Sequence, residues 1–128
     1  MRSTYIAGIA MLAGIAVGAT LTDRLSAQGK KPGAYAIIDI NEISNPDVFK
    51  TLLPKTAASN AAFNGQTIVQ TENIAAVDGP PPKRFIIIGF DSMDRAKAWY
   101  ASAAQNEINS IRTKSTKSRA FIVDGMLP

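Results

Sequence analysis

The segment KRFIIIGF, residues 83–90, is the most informative about the fold of this 128-residue chain. From Phe85 to Phe90 it is aromatic or β-branched except at Gly89, which predicts a strand that is apolar on both faces. Such a strand must be covered on both faces. In a small α+β domain two helices cover only one face of the sheet. The other face therefore needs a partner, and the sequence predicts a homodimer.

Other segments complete the pattern around this strand. Three have the apolar alternation or clustering of strands: residues 34–43, 66–71 and 119–124. Two have apolar residues at helical spacing: residues 45–64, and residues 92–113 in two pieces. Pro54 is expected to kink the first helix or split it in two. The order is βαββαβ, an α+β fold with a ferredoxin-like antiparallel sheet and both helices on one face.

The N-terminal segment has the features of an export signal. Arg2 gives a positive start, residues 5–21 are uncharged and mostly apolar, and Ala27 suits the position before a cleavage site. The predicted organisation is a signal peptide at 1–27, a flexible lead-in at 28–33 and the domain at 34–128. The protein is then exported, periplasmic or secreted. The alternative is an uncleaved leader that anchors the protein in the membrane.

The composition excludes several kinds of chemistry. The chain has no cysteine and no histidine, so it has no disulfide, thiolate nucleophile, Ser-His-Asp triad or usual zinc site. No cofactor is expected. The 14 Lys and Arg residues against 10 Asp and Glu are a mild excess, which argues against nucleic-acid binding. A basic cluster at 112–119 lacks interleaved aromatic residues and is interpreted as a solvated loop.

A family resemblance adds to this pattern. Elements of one family's pattern occur in order along the chain: residues 34–40, residues 45–47 with Phe49, Asn64 and Gly65, residues 84–92, Ala96, residues 98–102, Arg112 and residues 121–125. In these elements the chain resembles the domain-of-unknown-function family 1330. The resemblance implies a dimeric α+β barrel, in which two ferredoxin-like sheets pack face to face. It implies no reaction, and related barrels include cofactor-free monooxygenases and isomerases. The chain departs from the family pattern at residues 103–105, which read Ala-Ala-Gln.

Four residues are the candidates for a site. Trp99 and Tyr100 are candidates to line a ligand pocket, although a core position is the main alternative for Trp99. Arg112 is suited to hold a carboxylate or enolate, or else it forms an ion pair that fixes its helix. Asp39 is a candidate general base if the strand buries it. The simpler interpretation is that Asp39 marks the point where the strand emerges into solvent.

Three hypotheses about function follow. The leading one is an exported, homodimeric, small-molecule-binding or structural domain to which no reaction can be assigned. The second is a cofactor-independent enzyme, monooxygenase- or isomerase-like, acting on a small enolisable or aromatic substrate. Asp39, Tyr100 and Arg112 would then be base, acid and oxyanion holder, and at least two of them must converge on one cavity. The third is a membrane-tethered interaction module, which requires that the leader remains uncleaved.

Overall fold

The computed structural model describes residues 31–126. The predicted signal peptide lies outside these residues, and so does the first half of the lead-in, residues 28–30. The elements, in chain order, are β1 (Ala34–Ile43), α1 (Pro46–Lys50), α2 (Leu53–Ala62), β2 (Gln66–Thr71), β3 (Arg84–Phe90), α3 (Met93–Ala101), α4 (Ala103–Ser115) and β4 (Thr116–Asp124). None of the helices between residues 31 and 126 has the length and apolar character of a membrane span.

The four strands form one antiparallel sheet in the order β2-β3-β1-β4. The apolar run at residues 85–90 belongs to β3, which lies between β2 and β1 as a central strand. Within the register, Ile37 is opposite Ile87 on β3 and opposite Phe121 on β4. Two helical regions join the strands by crossovers, so the predicted α+β, ferredoxin-like βαββαβ fold is confirmed.

The first helical region is split in two, as the proline predicts. The side chain of Asn45 caps α1 by accepting a hydrogen bond from the backbone N–H of Val48 at 3.2 Å, and Pro46 occupies the first turn. Helix α1 ends at Lys50. Helix α2 then starts at Leu53 with Pro54 in its first turn, where the missing N–H of proline costs nothing.

The sheet has one covered and one open face. On β1 the even-numbered residues are buried against the helices: Ala34, Ala36, Ile38 and Ile40. The odd-numbered residues Tyr35 and Ile37 point to the opposite face and are only partly buried. On β4 the same opposite face carries Phe121 and Val123, both exposed. The described residues therefore leave one apolar face of the sheet uncovered.

The basic stretch near the C-terminus is not the solvated loop that was expected. Helix α4 runs to Ser115 and strand β4 starts at the next residue, Thr116, with no loop between them. Both of these residues are buried. The hydroxyl of Ser115 donates to the backbone oxygen of Ile111 at 2.6 Å, and the Ser115 carbonyl accepts from two backbone N–H groups at the end of β1. These buried hydrogen bonds let the helix turn directly into the strand.

Candidate functional site

Helix α3 presents Trp99 to the core. The helix is capped by the hydroxyl oxygen of Ser92, which accepts from the backbone N–H of Arg95 at 3.0 Å. The Trp99 ring is 1% exposed and lies 5.0 Å from the ring of Phe90, centroid to centroid. Its Nε1–H donates to Oδ1 of Asn60 on α2 at 3.1 Å. Trp99 is thus a core residue whose one polar atom is satisfied across the helix layer.

Arg112 is a buried cation with neutral partners. Its side chain is on α4, and the residue is 5% exposed. Nη1 donates to Oγ of Ser118 at 2.7 Å, and Nη2 donates to the hydroxyl oxygen of Tyr100 at 3.2 Å. Nε is buried and has no hydrogen-bond partner among residues 31–126. Within the same range the ion pairs all involve other basic residues, so the expected structural ion pair of Arg112 is not found there.

A cavity of about 180 Å³ lies between the covered face of the sheet and the helices. Arg112 lines it together with polar and apolar side chains. The polar ones are Thr56, Asn60, Thr67, Gln70, Arg84 and Gln105. The apolar ones are Ile38, Ile40, Phe49, Leu52, Leu53, Ile86, Ile88, Trp99 and Ile108. A mostly apolar lining with a few convergent polar groups is typical of a small-molecule site.

A second, smaller cavity lies on the other side of Trp99. Its volume is about 140 Å³, and its lining is almost entirely apolar. Tyr100 lines this cavity, and Trp99 lines both. Since the Tyr100 hydroxyl accepts a hydrogen bond from Arg112, the three predicted ligand-binding residues are neighbours. They meet at the boundary between the two cavities.

Asp39 lies elsewhere. It is an odd-numbered residue of β1, so its side chain points to the open face of the sheet, away from Tyr100 and Arg112. Its Oδ2 accepts from Nη2 of Arg119 at 2.8 Å, and its Oδ1 is buried without a hydrogen-bond partner in the described part of the chain. The residue is 9% exposed, so the interpretation of Asp39 as a solvated strand end is wrong. In the sheet, Asp39 lies between Phe85 on β3 and Arg119 on β4.

This arrangement supports binding chemistry more directly than acid–base chemistry. Arg112 supplies a fixed positive charge and an N–H donor. Because the Tyr100 oxygen accepts from Arg112, its own proton remains available for donation. No Asp or Glu is among the described residues that line either cavity. Between residues 31 and 126 no three carboxylates gather in the way a metal site requires.

Residues 33–126 match a family model described as a domain of unknown function, DUF1330. The chain belongs to the DUF1330 family. The resemblance noted in the sequence is thereby confirmed over most of the chain. No curated protein matches this DUF1330 chain significantly in sequence.

Solved structures similar to this DUF1330 protein share its fold at low identity. A protein of unknown function from Rhodopseudomonas palustris has a TM-score of 0.60 at 11% identity, over 84% of this chain and 94% of that one. A dimeric ferredoxin-like protein of unknown function from Thermobifida fusca scores 0.53 at 13%, over 74% and 92%. SnoaB, a cofactor-independent oxygenase from Streptomyces nogalater, scores 0.51 at 14%, over 74% and 94%. At such identities the likeness shows the fold alone.

Sequence reasoning missed every polar residue of the DUF1330 cavity other than Arg112, among them Asn60, Arg84 and Gln105. A signal existed for Arg84, because it has the same parity as Ile86 and Ile88 on one strand and must share their covered face. Asn60 and Gln105 gave no such signal. From sequence alone, a single polar residue in a helix gives no sign of whether it is exposed to solvent or buried and hydrogen-bonded.

Proposed function

We propose that this domain binds a small organic anion, with the acidic group of the ligand beside the guanidinium of Arg112. The observation that carries the proposal is the surplus charge of Arg112. Its described partners, Ser118 and Tyr100, are neutral, and its Nε–H has no acceptor among residues 31–126. Burying an unpaired charge costs several kcal/mol. A carboxylate in the cavity would supply the missing countercharge and the missing acceptor.

The cavity supports a ligand of limited size. Its volume of about 180 Å³ is below the roughly 300–1,000 Å³ typical of drug-sized ligands. Isoleucine and leucine side chains form much of the wall and suit an aliphatic or aromatic body. The polar groups are amide, hydroxyl or guanidinium, which donate to an anion rather than repel it.

Isothermal titration calorimetry with small carboxylates tests this function. The wild-type protein is expected to bind at least one of them saturably, and Arg112→Met is expected to lose at least about tenfold in affinity, equal to roughly 1.4 kcal/mol. Arg95→Met is the matched control, because Arg95 is an exposed arginine on α3. Equal affinities for wild type and Arg112→Met would refute the proposed role of Arg112.

We also propose that the domain is a homodimer through the open face of its sheet. Ile37 and Ile87 lie opposite each other at the centre of that face, with Phe121 next to Ile37 on β4. The neighbour from Thermobifida fusca is described as dimeric, which supports the same arrangement here. An exposed apolar face of a sheet marks an interaction surface. The occupant favoured by the fold is a second copy of the same sheet.

Export remains part of the proposal and rests on the sequence of residues 1–27. The expected mature chain starts at Gln28, directly after Ala27. Mass spectrometry of the protein recovered from its native host distinguishes the alternatives. A mass that includes the leader would instead support the membrane-tethered interaction module.

A cofactor-independent enzyme is the second candidate function. One contact favours it: the hydrogen bond from Arg112 to Tyr100 places a phenolic proton donor beside an oxyanion holder. The fold that the chain shares with SnoaB is compatible with this chemistry. The general base would have to be a residue other than Asp39. If the domain is an enzyme, Tyr100→Phe should abolish turnover of an enolisable substrate while it leaves ligand affinity within about threefold.

A further inference from the structure

Arg84 brings a second guanidinium to the same cavity. It is the first residue of β3 and has the same parity as Ile86 and Ile88, so its side chain is directed to the covered face. The side chain is 14% exposed. Its Nε is buried and, like that of Arg112, has no hydrogen-bond partner among residues 31–126. Both arginines line the cavity of about 180 Å³.

The sheet register places Arg84 and a hydrogen-bond partner of Arg112 on opposite sides of one residue. Ile40 on β1 is opposite Arg84 on β3 and opposite Ser118 on β4. Ser118 accepts the hydrogen bond from Nη1 of Arg112. Because adjacent strands are about 4.8 Å apart, Arg84 and Ser118 are attached to the sheet about 10 Å from each other. Arg84 and the Ser118 partner of Arg112 therefore flank Ile40 in the register, and Ile40 and both arginines line the cavity.

The charges of the two arginines are only partly balanced. Nη1 of Arg84 lies 3.4 Å from a carboxylate oxygen of Glu72, whose side chain is 64% exposed. An ion pair of this length with a solvent-exposed partner contributes little stabilisation. The Arg84 guanidinium also lies over the ring of Phe49, 5.9 Å from its centroid, and this contact helps to hold its position. Arg112 has no carboxylate partner in the described part of the chain.

We infer that the cavity selects a short-chain dicarboxylate, with one carboxylate beside Arg112 and the other beside Arg84. This inference rests on the proposed function and names its ligand class. Two N–H donors match two acceptor groups, and Ile40, which lies between Arg84 and Ser118 in the sheet, matches an aliphatic linker. The cavity volume of about 180 Å³ is small beside that of drug-sized ligand sites, which favours a linker of a few carbons.

Chain-matched probes test this selection. The titrations use the full-length protein, with succinate, glutarate and adipate compared with butyrate, pentanoate and hexanoate, and with sulfate as a control for unspecific anion binding. Wild type is expected to bind its best dicarboxylate at least about tenfold more tightly than the monocarboxylate of the same length. Arg84→Met is expected to remove this preference and leave monocarboxylate affinity within about twofold. Lys83→Met, the matched loss of an exposed neighbouring cation, should preserve it.

A second variant keeps the test decisive if Arg84→Met does not fold. Glu72 is exposed and competes for Arg84, so Glu72→Gln is expected to tighten dicarboxylate binding severalfold without changing monocarboxylate binding. Equal affinity of wild type for both classes, or an unchanged preference in Arg84→Met, would overturn the inference and leave the proposed function standing. Failure of every carboxylate to bind wild type would overturn both.

Discussion

Arg112→Met should make the protein more stable while it removes ligand binding. In the unliganded protein the Arg112 charge is buried without a countercharge in the described structure, at a cost of several kcal/mol. Its two hydrogen bonds, to Ser118 and Tyr100, offset part of that cost. Methionine keeps the apolar stem and introduces no charge.

When the guanidinium is removed, the hydroxyl groups of Ser118 and Tyr100 can form other hydrogen bonds. Ser118 lies 2.9 Å from the hydroxyl of Thr116, and Tyr100 is only partly buried. We therefore expect the free energy of unfolding to rise by about 1–2 kcal/mol. For a domain of this size that equals a rise in Tm of roughly 5–15 °C.

Thermal and urea unfolding, followed by circular dichroism at one fixed protein concentration, measure this change. The concentration must be fixed because association of the folded protein also stabilises it. Arg95→Met, at an exposed position, is expected to be neutral within about 0.5 kcal/mol. A loss of more than about 1 kcal/mol in Arg112→Met would show that Arg112 is a structural residue and would refute the reasoning.

Three further predictions concern the fold and the interface. Trp99→Phe should lower the free energy of unfolding by about 1–3 kcal/mol, since it leaves a buried oxygen of Asn60 unpaired. In urea titrations the same substitution should cost less in an Asn60→Leu background, and an equal loss of stability in both backgrounds would contradict the contact. Ile87→Lys should convert a dimer into a monomer in light scattering, because it charges the centre of the open face; a monomeric wild type would contradict the proposed interface. Gly33→Ala should lower the free energy of unfolding by about 1–3 kcal/mol in the same urea assay, because an added Cβ would lie 2.2 Å from the backbone oxygen of Asp91. An unchanged stability would show that the two backbone segments are not held this close together.

The sequence was most informative where local pattern and packing agree. The run that ends at Phe90 predicted a strand, and Pro54 predicted a kink or a break in the first helical region, because proline lacks the N–H that a helix interior needs. The C-terminal region was harder. Lys114 and Lys117 flank the buried residues Ser115 and Thr116. Because of the nearby charges the segment was predicted to be a solvated loop, whereas the helix is directly followed by the strand.

The candidate site was predicted only in part. Tyr100 and Arg112 were separate candidates, and a hydrogen bond joins them between two helices that are adjacent in sequence. Asp39 was grouped with them by residue type, but the side-chain period of a strand sends it to the opposite face. Arg84 was overlooked, although the same period places it beside the cavity. Which residues converge also depends on the register between neighbouring strands, which no single strand specifies by itself.

The most direct test of the central claim is the Nε–H resonance of Arg112 in the ¹H–¹⁵N spectrum of the protein, identified by its absence from Arg112→Met. This N–H is buried and has no acceptor within residues 31–126, so a bound carboxylate should become its hydrogen-bond partner. If a carboxylate binds beside Arg112 as proposed, this resonance shifts downfield saturably on addition of glutarate. A resonance that stays unchanged up to the highest soluble glutarate concentration would contradict this binding.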